Sequence, residues 1–120
     1  MGARVTREKQ VTAYIQECGV PAHILGFRFV RQAILFTIDD PTACTQITKK
    51  LYPAIARKND TTSQKVERAI RHAISVAFVR GNKDVLRKVF RHTIHPSKSK
   101  PTNGEFIALL ADRIRMGVSK

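Results

Sequence analysis

Six polar side chains between residues 64 and 75 carry the chemistry that is easiest to read. Projected on a helix at about 100° per residue, Gln64, Lys65, Arg68, Arg71, His72 and Ser75 fall on one side, and Val66, Ala69, Ile70, Ala73, Ile74 and Ala77 on the other. A solvated helix face normally mixes both signs of charge. Here the one acid is Glu67, four residues before Arg71 and placed to pair with it. Such a face suits a polyanion with ordered acceptors. In a duplex major groove, Arg68 and Lys65 can donate to guanine O6 and N7, Glu67 can accept from cytosine N4, and Gln64 can reach adenine. With Arg71, these are the predicted base-reading residues. The competing reading is that the cations only solvate the helix.

Further side chains, most of them cationic, are placed to meet phosphates, which position a protein without reading sequence. Lys49, Lys50, Arg57, Lys58, Thr62, Ser63, His72, Lys98 and Lys100 form that predicted set. The total formal charge is +13, and residues 49–100 carry 14 Lys or Arg against three acids, Asp60, Glu67 and Asp84. Each flank adds only one net positive charge, so the field sits on the middle of the chain, as a polyanion-binding surface requires.

Other chemistries fit less well. His92 and His95 lack a neighbouring carboxylate or thiol, and a basic loop repels cations, so no metal or other cofactor is expected. Cys18 and Cys44 show no CxxC spacing and read as buried thiols. The nine acids are scattered, without a Ser-His-Asp or Cys-His grouping or a glycine-rich phosphate loop, so an enzyme is not expected. Phe27, Phe29, Phe36 and Phe106 read as core, leaving little to stack on single-stranded bases. His23 reads as structural. No apolar run reaches membrane-span length and no signal-peptide pattern opens the chain, which predicts a cytoplasmic, nucleoid-associated protein with no membrane partner.

The polar face needs a scaffold, and helical periodicity supplies one. Val11, Tyr14, Ile15 and Cys18 recur at helical spacing, with Thr6 as the expected N-cap and Gly19 as the stop. Phe27, Val30, Ile34 and Ile38 trace a second stripe ending before Asp39-Asp40-Pro41. Asp40 is expected to cap a third helix, with Pro41 in its first position and Cys44, Ile47 and Leu51 facing inward. Pro53 lacks an N–H and clashes with a preceding turn, so a new short helix should run over 53–58. After the polar run 59–63, Thr61 and Gln64 form a capping-box pattern that opens the long helix, which Gly81-Asn82 ends near Arg80.

A short helix over 84–90 and a basic, proline-containing loop over 91–101 follow. A Thr102/Glu105 capping box then introduces a last helix with Phe106, Ile107, Leu110 and Ile114 inside. The expected fold is all-α, a bundle of six to seven helices containing a helix-turn-helix over about 53–80, in a single domain over 1–120. The turn lacks the glycine often found there, but Asn59 and Asp60 tolerate left-handed backbone. Ile55 and Ala56 should pack on Val66 and on Ala69 or Ile70.

Several stretches carry a resemblance. Gly19-Val20-Pro21-Ala22-His23-Ile24, Ile47-Thr48-Lys49-Lys50-Leu51-Tyr52-Pro53, Val66-Glu67-Arg68-Ala69-Ile70-Arg71-His72-Ala73-Ile74, Arg80-Gly81-Asn82, and Lys100-Pro101-Thr102-Asn103 with Glu105-Phe106-Ile107-Ala108 resemble the C-terminal effector domain of the stage 0 sporulation response regulators. The likeness runs from about Val11 to Arg115. It implies a six-helix effector from endospore-forming bacteria, released by a phosphorylated N-terminal receiver domain to bind promoter boxes like TGTCGAA. It also implies that Lys65, Glu67, Arg68 and Arg71 lie on the recognition helix. Activation or repression of transcription follows, with a surface over residues Gly81 to His92 as the candidate contact for an RNA polymerase sigma factor.

A dimer on promoter DNA is a further candidate arrangement. No stretch alternates strand and helix, so a receiver is not expected within these residues. Lys65 stands where the family is expected to carry Arg, and a lysine cannot make the same planar two-pronged contact, which predicts relaxed specificity at that base. Lys83, Arg87, Lys88, Arg91 and His92 make the segment after Gly81-Asn82 more basic than its family counterpart, which favours DNA there. The alternative function is a nonspecific basic helical module binding RNA or acidic protein partners; competition between specific and scrambled duplexes separates the two.

Overall fold

The computed structural model describes residues 2–90 and 100–117, with side chains from residue 6 onward. Among the described residues the periodic stripes become six α-helices and no strand: α1 (Gly2–Glu17), α2 (Leu25–Asp39), α3 (Tyr52–Lys58), α4 (Ser63–Arg80), α5 (Lys83–Phe90) and α6 (Asn103–Arg115). The all-α expectation holds.

Helix α2 is the centre of the bundle because it is apolar on more than one side. Gly26, Phe27, Phe29, Val30, Ala33, Ile34 and Thr37 are all buried, and α1, α4 and α6 pack around them. Small residues set the closest approach. A Cβ on Gly26 would lie 2.8 Å from the Ala73 Cβ and closer still to the Ala69 carbonyl oxygen, so only glycine lets α2 and α4 meet at this depth. At the far end of α4 a second close contact forms. Gly19, at φ +101, closes α1 with Gly19 N–H donating to the Gln16 carbonyl at 3.0 Å and Val20 N–H to the Ile15 carbonyl at 3.1 Å. A Cβ there would run into the main chain of Gly81, and one on Gly81 would run into the Cys18 carbonyl.

The core follows the predicted stripes. Val11 and Ile15 of α1, Cys18 just after it, and Phe106, Ile107 and Leu110 of α6 are fully enclosed. Helix α5 joins through Leu86, Val89 and Phe90, and the Phe90 ring stacks on Phe106 at 5.1 Å while meeting Phe78 edge-on at 5.6 Å. Phe36 is only half-buried at the edge of this core, and His23 is exposed rather than packed.

Two elements in the first half of the chain differ from expectation. Helix α1 already begins at Gly2, which puts Thr6 inside it rather than at its N-cap. The expected third α-helix is instead a 3-10 turn, Ala43–Gln46, followed by a π turn, Ile47–Leu51, that runs directly into α3. Local hydrogen bonding explains this. Asp40 Oδ1 accepts from both the N–H and the hydroxyl of Thr42, at 3.1 and 2.6 Å, which starts a tight turn rather than a regular helix. The wider π turn then delivers Pro53 into the first turn of α3, where its missing N–H costs nothing. Leu51 is buried as expected, Cys44 and Ile47 are half-buried, and Ala43 takes the remaining inward position.

Candidate nucleic-acid interface

The turn between α3 and α4 is built from main-chain bonds. Thr61 N–H donates to the Ala56 carbonyl at 3.0 Å and Asp60 N–H to the Arg57 carbonyl at 3.5 Å, the paired pattern that closes a helix through one left-handed residue. That residue is Asp60, at φ +53. An aspartate thus fills the role glycine often has. Asn59 keeps an ordinary negative φ and does something else: its Nδ2 donates to the Ile55 carbonyl at 2.8 Å and to Gln32 Oε1 on α2 at 2.6 Å. The turn is thereby tied to the central helix.

Because Thr61 is used in closing α3, helix α4 starts one residue later than the sequence suggested. Thr62, with extended backbone at φ −111 and ψ 155, is the N-cap, and its hydroxyl accepts from Lys65 N–H at 3.2 Å. The Thr61/Gln64 capping box is absent. Ile55, Ala56, Val66 and Ile70 are buried and Ala69 is half-buried, so α3 packs on α4 through the predicted residues. The arrangement fits a helix-turn-helix.

The outer face of α4 gathers most of the predicted reading set. Gln64, Lys65, Arg68, Arg71 and His72 are exposed, and Glu67 is half-buried. Glu67 and Arg71 pair at 3.6 Å, as their spacing predicts. Lys65 and Arg68 enter no ion pair among the described residues. Arg57 and Lys58, in the last turn of α3, and Lys49, in the π turn, are exposed as well.

Other predicted contacts have partners within the fold. Lys50 Nζ pairs with Asp40, whose carboxyl is held down at about 2 by that bond first and by Thr42 second. Lys100 Nζ donates to Ser75 Oγ, and the Ser75 hydroxyl donates to the Arg71 carbonyl at 3.0 Å. Ser63 opens α4 and is half-buried. Lys98, and the histidines His92 and His95, lie outside the described residues.

With this geometry in view, the chain matches the family described as sporulation initiation factor Spo0A C terminal over residues 11–114. The chain belongs to this family. A Spo0A C-terminal domain is a DNA-binding regulator of sporulation transcription, the output part of a response regulator, and in the full-length protein it works with a receiver domain. Among the described residues no helix is long and apolar enough to cross a membrane.

The structure of this Spo0A C-terminal domain also brings together residues that periodicity did not single out. Helix α6 opens with the predicted capping box: Glu105 N–H donates to Thr102 Oγ1 at 3.1 Å and Thr102 N–H to Glu105 Oε1 at 2.8 Å. The next residue, Asn103, reaches across to α3 and α4. Its Nδ2 donates to Tyr52 Oη at 2.9 Å and to the Glu67 carbonyl at 3.2 Å. Burial pushes the Tyr52 hydroxyl pKa up, and the Asn103 bond acts against that shift. An open cleft of about 720 Å³ lies beside these groups, lined in part by Cys44, Ile47, Ile74 and Pro101. These partners are 51 and 36 residues from Asn103, beyond the reach of any local pattern.

Proposed function

We propose that residues 1–120 act as a single module that reads duplex promoter DNA, with α4 as the recognition helix entering the major groove through its N-terminal half. Gln64, Lys65, Glu67, Arg68 and Arg71 meet base edges in boxes resembling TGTCGAA. Lys49, Lys50, Arg57, Lys58, Thr62, Ser63, His72, Lys98 and Lys100 meet phosphates. The observation that carries this reading is the exposed cationic face of α4, with Lys65 and Arg68 unpaired among the described residues, directly after a tight interhelical turn. The N-terminal end of α4 adds its partial positive charge where a phosphate would approach.

The same reading places the protein in the cytoplasm, on the nucleoid. Two such modules bind as a dimer, and the Gly81 to His92 surface meets a sigma factor. Exposed Lys83, Arg87 and Lys88 on α5 make that surface strongly basic, a charge that favours DNA over the sigma factor there.

Competition tests the central claim. A duplex carrying the box should outcompete a scrambled duplex by roughly a thousandfold or more at physiological salt. Equal competition would support the nonspecific module instead. Within the same assay, Arg68→Ala should remove roughly 1 to 3 kcal/mol of specific binding and relax preference at one base pair. A uniform loss on every duplex would assign Arg68 to phosphate.

A further inference from the structure

Helix α4 is gripped differently on its two flanks. Toward α2 its main chain lies against Gly26, and no freedom remains. Toward α6 it borders the open cleft of about 720 Å³, lined in part by Tyr52, Glu67, Arg71 and Lys100. Side chains hold a spacing poorly across unfilled volume, because a gap of about 0.5 to 1 Å already forfeits a quarter to a half of a dispersion contact. Along the cleft, polar ties therefore take over the positioning of α4 that apolar contact supplies farther along, where Phe78 meets Phe90 and Phe90 stacks on Phe106.

Two such ties are present. One runs through the flexible lysine Lys100 to Ser75. The other is the Asn103 amide, whose Nδ2 donates to Tyr52 Oη on α3 and to the Glu67 carbonyl on α4. A primary amide carries two N–H donors, so one short, stiff group can serve both acceptors. Asn103 is itself held firmly, since it follows the capping residue Thr102 and buried Pro101. Its acceptor on α4 belongs to the residue just before Arg68.

We propose that Asn103 is a positioning residue for DNA reading: by bridging α3, α4 and α6 it sets the tilt of the first half of α4 and so where Arg68 and Arg71 arrive in the groove. This rests on α4 being the recognition helix. Base contacts demand placement to about half an ångström, whereas long cations follow phosphates over a wider range. Loss of Asn103 should therefore appear in discrimination between duplexes rather than in overall affinity.

The experiment is a competition assay on wild type, Asn103→Ala and Tyr52→Phe with box and scrambled duplexes. Asn103→Ala should narrow the specificity ratio roughly three- to tenfold, as expected for losing ordinary hydrogen bonds, with scrambled-duplex affinity and salt slope unchanged. Tyr52→Phe should narrow it less. In Asn103→Ala/Arg68→Ala the narrowing should be smaller than the product of the two single effects, because a misplaced Arg68 cannot be lost twice. Equal losses on both duplexes, an unchanged ratio, or fully multiplicative effects would overturn the proposal. If Asn103→Ala does not fold, Tyr52→Phe decides alone, since it removes only the hydroxyl. Failure of wild type to discriminate would sink the reading of α4 itself; discrimination equal in wild type and Asn103→Ala would sink only the role of Asn103.

Discussion

Against α2, helix α4 comes so close that a single added carbon at Gly26 would collide with the Ala69 carbonyl; against α6, the same helix borders a cleft bridged by an amide and a lysine. The first contact is main chain on main chain and is fixed by the absence of side chains. Along the cleft the second is bridged by a few polar atoms, with apolar contact resuming where Phe78, Phe90 and Phe106 meet. One helix thus combines a flank closed by main-chain contact with a flank that borders open volume. Of the predicted reading residues, Glu67 and Arg71 line the cleft.

The largest expected effect is on the secured flank. Ile70 is fully buried, and Ile70→Asp would force an unpaired carboxylate into the core, so the module should unfold. Circular dichroism that retains native helicity and melting temperature would contradict that burial. Gly26→Ala should come next, destabilising by about 3 kcal/mol because backbone must move to admit the methyl group. Denaturant melts check this; a loss near zero would mean α2 and α4 part easily.

Alkali offers a third probe of the tight side. Burial raises the Cys18 thiol from 9.0 to about 12. Between those values the unfolded chain has released a proton that the folded chain keeps. The contribution is complete below pH 9 and declines by about 1.4 kcal/mol per pH unit as pH rises toward 12. Stability differences between wild type and Cys18→Ala should therefore shrink steadily above pH 9, and a constant gap would show that the thiol ionises normally. Cys44 and Tyr52, on the cleft, are shifted in the same direction by burial.

On the adjustable flank the effects should be smaller. Asn103→Ala should lower stability by only about 1 kcal/mol; a loss matching Gly26→Ala in the same melts would erase the contrast between the flanks. Smallest of all, Glu67→Gln breaks a partly exposed pair with Arg71 and should change stability by no more than about 0.5 kcal/mol. A larger drop in melting temperature would show that the pair braces α4.

Local signals made much of this legible. The two faces of α4, the box at Thr102 and Glu105, and the Glu67 to Arg71 pair each depend on residues within a turn or two of one another, and all three appear in the structure. The resemblance drawn from short runs of sequence agrees with the family match over residues 11–114. Local signals mislead where two local solutions compete. Thr61 and Thr62 can each cap a helix, and closure of α3 around Asp60 claims the first of them. Asp40 can open a helix or a tight turn, and its two bonds to Thr42 select the turn. The Asn103 bridge was unreadable for a different reason: its partners meet only after the bundle has formed.

Gly19 and Gly81 meet without any intervening side chain, so the end of α1 and the end of α4 are coupled by hard contact between main chains. Nothing compressible sits between them to take up a shift. A side chain introduced at either position would have to part the two helix ends before the bundle could close.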